Sequence, residues 1–214
     1  KGGTRYSQLL TIPENTIDII IKPDSGMDVY EIQTSNEAVI NAEKIYPTVT
    51  EYGIEQGYNN VTIDYFGTSV QKLYKIDEGE WKNYTGTIRL EIGQTIYAKG
   101  IDKNGEETRL ISSYTATLPS DALGVKAYDG DRETYEEFSN NKRIKVSKEM
   151  QGKKIGVYFK GGEDGGSVYL YATLKDGSDK ELKRLYYGDS FDSTLELPEG
   201  TVELKFMGYS ASIY

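Results

Sequence analysis

From residue 47 to 117 apolar side chains recur at every second position in short runs, and turn-forming residues cut each run off. Val61, Ile63 and Tyr65 form one such series, and Ile88, Leu90 and Ile92 another. A period of two sends successive side chains to opposite faces, so each run can bury one face as a strand. Strands are predicted over 49–54, 61–66, 70–76, 87–92, 95–101 and 108–117. They are separated by Asn59-Asn60, Asp77-Glu78-Gly79, Ile92-Gly93 and Asp102-Lys103-Asn104-Gly105. Regular short strands of this kind indicate a β-sandwich. Leu118-Pro119-Ser120 marks a boundary, and strand-like runs resume at 143–147, 155–159, 168–174, 182–187, 193–197 and 202–207. The expected fold class is all-β, with two sandwiches in series at 47–118 and 119–214.

Several chemistries are closed to this chain. Without cysteine it has neither disulfides nor thiolate metal sites. Without histidine it lacks the commonest general base, the serine-type triad and imidazole ligands. The net charge of −9, with no basic patch, argues against a nucleic-acid partner. No apolar run approaches the roughly 20 residues that span a bilayer, so no membrane insertion is expected. The Gly161–Gly166 run lacks the Lys-Ser/Thr of a phosphate cradle, and Glu163 and Asp164 would repel phosphate. Two acids can hydrolyse a glycosidic bond. The adjacent pairs Glu136-Glu137 and Glu106-Glu107 would point to opposite faces of a strand or lie solvated in a loop. No catalytic residue is therefore assigned.

The N-terminal part has a counterpart at the far end. Ile12-Pro13-Glu14-Asn15-Thr16-Ile17-Asp18-Ile19 aligns with Leu197-Pro198-Glu199-Gly200-Thr201-Val202-Glu203-Leu204, and Asp28-Val29-Tyr30 with Ser212-Ile213-Tyr214. Residues 1–33 are thus expected to be the closing strands of a preceding module, with Lys1-Gly2-Gly3 as the start of an excised fragment. Their apolar face would pack on the neighbouring domain or mediate strand-based self-association. Residues 34–46 are expected to be a linker, with room for one helical turn around 37–44.

The stretch Lys126-Ala127-Tyr128-Asp129-Gly130-Asp131-Arg132-Glu133-Thr134 gathers oxygen groups around a glycine. A hard cation takes such ligands from a tight turn; solvated carboxylates on a surface turn are the other reading of Asp-Gly-Asp. With the β-rich sequence that ends in Ala-Ser-Ile-Tyr, this stretch resembles the discoidin family, also known as coagulation factor 5/8 C-terminal domains. That family includes the family 32 carbohydrate-binding modules. The resemblance covers about residues 120–214 and implies a jelly-roll, galactose-binding-like sandwich with a structural Ca²⁺. By position it implies carbonyl ligands at Lys126 and Asp131, a carboxylate at Asp129, and carbonyl plus hydroxyl at Thr134. Tyr214 falls at the carbonyl that the family uses in its last strand, and Glu31 of the N-terminal copy at the glutamate that follows it. Tyr135-Glu136 stands where the family often has a tryptophan.

The first sandwich carries a second resemblance. Asp77-x-Gly79-x-Trp81, Tyr84-Thr85-Gly86 and Ile96-Tyr97-Ala98-Lys99 resemble the immunoglobulin-like or fibronectin-III-like spacers of secreted bacterial glycosidases and surface proteins. In these the Trp81 position packs on the sandwich; Trp81 stacking on sugar is the other reading.

Two functions fit these features. One is a non-catalytic, glycan-binding accessory region of a secreted or cell-surface bacterial protein, with the C-terminal module supplying the site. The other is a structural spacer or stalk without a ligand of its own. Discoidin-like sugar sites use an arginine, a histidine or asparagine, and an aromatic on loops at one end of the sandwich, and this chain has no histidine. Tyr135, Phe138, Tyr186, Tyr187 and Phe191 lie in or near such loops, or in the core.

Overall fold

In the computed structural model residues 38–65, 69–107, 111–138, 140–161, 167–208 and 211–214 are described. The expectations for residues 1–33, including self-association and the role of Glu31, and for most of the glycine-rich loop fall outside them. All described residues belong to one unit spanning Ser35–Tyr214.

The first part of the chain contributes β1 (Ala38–Ile45), β2 (Thr48–Thr50), β3 (Gly53–Glu55), β4 (Tyr58–Tyr65), β5 (Ser69–Ile76), β6 (Lys82–Asn83), β7 (Ile88–Glu91), β8 (Thr95–Asp102) and β9 (Ser112–Thr115). A three-stranded sheet, β1-β4-β7, packs on a four-stranded one, β6-β5-β8-β9, as a β-sandwich. Val61, Ile63, Leu90, Ile96 and Ala98 fill its core. The alternation in the sequence placed Val61, Ile63 and Leu90 correctly, and turns at Asp77 and Gly93 separate the strands as expected.

The expected linker proves to be strand over β1, and no helical turn forms there. Ala38, Ile40 and Ala42 face the core at every second position, and eight registered pairs with β4 hold the strand. Asn59-Asn60, expected as a turn, lies inside β4. The Asn59 side chain is fully buried. It accepts from the Tyr114 hydroxyl (2.7 Å) and the Thr117 N–H (3.1 Å), and donates to the Thr117 carbonyl (3.1 Å). A satisfied amide of this kind can stay in the interior.

The second part forms β10 (Glu136–Phe138), β11 (Lys142–Val146), β12 (Lys154–Lys160), β13 (Val168–Leu174), β14 (Asp179–Leu185), β15 (Ser190–Glu196), β16 (Thr201–Met207) and β17 (Ala211–Ile213). One sheet has the order β10-β17-β12-β15; the other runs β14-β13-β16-β11 and continues into β2 and β3. Phe159, Leu170, Leu197, Leu204 and Phe206 are the heart of the core between them. The described residues contain no α-helix, only two short 3₁₀ turns, Val125–Ala127 and Lys148–Met150. No helix among them is long and apolar enough to cross a membrane.

The run 49–54 is a hairpin rather than one strand, and it serves the second sandwich. Gly53 takes φ of +122°, which reverses the chain. The Thr50 hydroxyl donates to the Gly53 carbonyl (2.9 Å) and accepts from the Tyr52 N–H (3.3 Å). β2 then pairs in parallel with β11. A polar network secures the junction. The Tyr46 hydroxyl donates to Asp121 (2.5 Å), Arg143 pairs with Asp121 and Glu203 (both 3.1 Å), and Lys145 reaches Glu203 (2.6 Å). At Gly57 the backbones approach so closely that an added Cβ would lie 2.5 Å from both the Ile45 carbonyl oxygen and Leu118 Cδ2.

Candidate functional site

The loop 126–134 leaves the first 3₁₀ turn and enters β10. Gly130 has φ of +83°, a region open to glycine without strain, and it folds the loop back on itself. Asp129 Oδ1 accepts the Asp131 N–H at 2.9 Å, and the Thr134 hydroxyl lies 2.7 Å from Asp129 Oδ2 and 3.0 Å from the Asp131 carbonyl. These hydrogen bonds, the Asp131 backbone one first and Thr134 next, hold the Asp129 carboxyl below its usual range. A carboxylate, a carbonyl and a hydroxyl from three of the five expected positions therefore converge, a donor set that suits a hard cation. Lys126 lines an open groove with Glu133, Thr134, Tyr135, Glu136 and Glu137. The Tyr214 ring packs on Tyr135, with centroids 5.3 Å apart. No cluster of three or more acidic side chains with metal-binding geometry occurs among the described residues.

Beside this loop, strand register builds a second surface. Ile155, Val157 and Phe159 of β12 pack into the core, which turns Tyr158 and Lys160 outward. Glu136 pairs with Ile213, setting Tyr135 beside Tyr214. The Tyr214 N–H donates to the Tyr158 carbonyl (3.1 Å), and Tyr158 faces Asp192. One row across the outer face of the sheet thus reads Tyr135, Tyr214, Tyr158, Asp192. The adjacent row reads Glu137, Ser212, Lys160, Ser190.

The first row is aromatic and tightly ordered. Tyr158 and Tyr214 stack at 4.5 Å with an interplanar angle of 28°. The Arg132 guanidinium lies 5.4 Å from the Tyr158 ring centre and forms a two-pronged pair with Asp192 at 2.7 and 3.2 Å. Lys160 Nζ sits 4.7 Å from the Tyr214 ring centre and 5.4 Å from that of Tyr158, and donates to the Tyr214 hydroxyl at 3.2 Å. The Tyr158 and Tyr214 hydroxyls raise the proton affinity of this ammonium.

Of the aromatics singled out in the sequence as sugar contacts, only Tyr135 joins this surface; Tyr214, singled out for its carbonyl, joins it through its ring. Phe138 and Phe191 pack in the core, while Tyr186 and Tyr187 stand exposed in the turn before β15. Tyr158, Lys160, Arg132 and Asp192 were not singled out. The outward phase of 158 and 160 was readable from the inward series 155, 157, 159, but the register that joins four separate segments was not. Trp81 lies under two lysine ammonium groups, Lys99 at 4.6 Å and Lys75 at 5.8 Å from its ring centre. The acid pairs are divided: Glu136 pairs with Lys142 (3.1 Å) and Glu107 with Lys99 (2.7 Å), while Glu137 and Glu106 are exposed.

No protein-family model matches the chain, and no curated protein does. Among solved structures, the M60 catalytic domain with the CBM51-1 and CBM51-2 domains from Clostridium perfringens ZmpB is similar over 87% of this chain, at 9% identity and a TM-score of 0.25. The match spans 31% of that chain.

Proposed function

We propose that the chain is a non-catalytic accessory region of a secreted or cell-surface bacterial protein, and that it binds glycan on the outer face of sheet β10-β17-β12-β15. The observation that carries this reading is the row Tyr135–Tyr214–Tyr158, bordered by Arg132, Asp192 and Lys160. Aromatic rings supply apolar contact to sugar C–H groups, and phenol, guanidinium, carboxylate and ammonium groups supply directional partners for sugar hydroxyls. The resemblance of residues 120–214 to the discoidin family supports the same reading. A structural Ca²⁺ held by Asp129, Asp131 and Thr134, with Lys126 and Tyr214 contributing carbonyls, would fix the loop that carries Arg132 and Tyr135. The division of the acid pairs supports a non-catalytic role.

The test is a glycan array probed with the whole chain, followed by Tyr158→Ala on each glycan bound. Retention of a defined glycan class that the variant loses supports the proposal. Failure to retain any glycan overturns it. A spacer without a ligand is the second reading, favoured by the β2–β3 hairpin that locks one sandwich into the sheet of the next.

A further inference from the structure

Lys160 occupies an unusual position on the platform. In the row Glu137–Ser212–Lys160–Ser190 it has a hydroxyl-bearing residue on each adjacent strand, and the one carboxylate of the row, Glu137, stands two strands away beyond Ser212. Its ammonium rests against two phenol rings and donates to one phenol oxygen. Among the described residues no carboxylate lies within ion-pair distance of it. Arg132, the other cation here, is by contrast committed to Asp192 through both prongs.

An ammonium supported by neutral oxygens keeps its charge and its remaining donors for a further acceptor. Hydrogen bonds from an ammonium to a carboxylate or sulfate are about twice as strong as those between neutral groups. The chain is acidic, with a net charge of −9, so no long-range attraction accounts for anion capture. A local cation flanked by hydroxyls is what could overcome that repulsion, within a Debye length of about 8 Å at physiological salt.

We infer that Lys160, with Ser190 and Ser212 beside it, is the specificity-determining group of the platform, and that it selects glycans bearing an acidic substituent. This rests on the reading of the face as glycan-binding. The acidic group, a uronic-acid carboxylate or a sulfate, sits over the serine–lysine–serine row, and the sugar ring lies along Tyr158 and Tyr214. The neutral phenol groups accept sugar hydroxyls, and the ammonium decides between charged and uncharged chains.

The test is affinity electrophoresis of the whole chain in gels containing polygalacturonate, chondroitin sulfate or a neutral galactan. Lys160→Met, which keeps the stem against the rings, is compared with Lys160→Arg, which keeps the charge; melting curves confirm that both fold. Stronger retardation by an acidic polymer than by galactan is expected. The acidic-to-neutral affinity ratio should fall about tenfold in Lys160→Met and persist in Lys160→Arg. The polyuronate and sulfate gels separate the two sources of negative charge. Binding to galactan alone, or an unchanged ratio in Lys160→Met, overturns the inference and leaves glycan binding standing. Absence of retardation in every gel, with an array that retains nothing, overturns both.

Discussion

Lys145 of β11 lies opposite Thr48 of β2 in parallel register, with Val146 opposite Val49 in the next pair. The hairpin of β2 and β3 leaves the first sandwich between β1 and β4, yet Val49 and Ile54 pack against the core of the second. Tyr46 and Asp121 close the same junction from the two sides of the boundary. The first part of the chain therefore lends a hairpin to a sheet of the second sandwich, in addition to the covalent connection.

This lent hairpin should couple the unfolding of the two sandwiches. A single calorimetric transition is expected for residues 38–214. Val49→Ala combined with Ile54→Ala should lower stability by about 1–3 kcal/mol and split the transition into two, because both side chains are partly buried apolar contacts. Two separate transitions in the unmodified chain would contradict this coupling.

Glu203 carries the burden of the polar junction. Its side chain is only 6% exposed and is held by Arg143 and Lys145, which are 37% and 44% exposed. Removing one partner of a buried ion pair costs about 3–5 kcal/mol, and solvent access to these two cations reduces the effect. Glu203→Ala should therefore destabilise by about 2–3 kcal/mol in urea titration, and a change near zero would show the pairs to be surface decoration.

Tyr46 links the junction to alkaline stability. Burial, and then the hydrogen bond to Asp121, push its phenol up to about 12. A folded pKa above the unfolded value of about 10 means that the neutral phenol is favoured in the folded state. Its contribution is complete below about pH 10 and is lost as pH rises through about 12. Urea midpoints measured from pH 9 to 12 should fall less steeply in Tyr46→Phe than in the unmodified chain. Equal slopes would rule out Tyr46 as a source of the loss.

A bound Ca²⁺ would act through loop 126–134. If the cation binds only the folded state, a hundredfold excess over Kd adds about 2.7 kcal/mol. The melting temperature should rise on adding Ca²⁺, return with EDTA, and become insensitive to both in Asp129→Ala. Identical melting in Ca²⁺ and EDTA would remove the cation from the account.

Legibility in the sequence followed the range of the interactions. Runs such as 155–159 and 168–174 were readable because alternating large apolar residues fix a strand and its buried face. β1 was missed because two of its three core-facing residues, Ala38 and Ala42, are small, so the burial that selects strand comes from β4. The hairpin was read as one strand because Thr50-Glu51-Tyr52-Gly53 lacks the paired turn residues that announce a reversal. The loop 129–134 was legible since its hydrogen bonds span at most five residues. The platform was not, because Tyr135, Tyr158, Asp192 and Tyr214 meet only through the register of β10, β17, β12 and β15.

The central claim is that this outward row is a glycan-binding surface, and the direct measurement is isothermal titration of one array-identified glycan into the unmodified chain and into Tyr158→Ala. Tyr158 is a partly exposed residue on the outer face, so the substitution should leave the core intact. Loss of one stacked ring from the row should weaken binding by about tenfold or more, with little change in melting temperature. Equal affinities for the two proteins would contradict the claim.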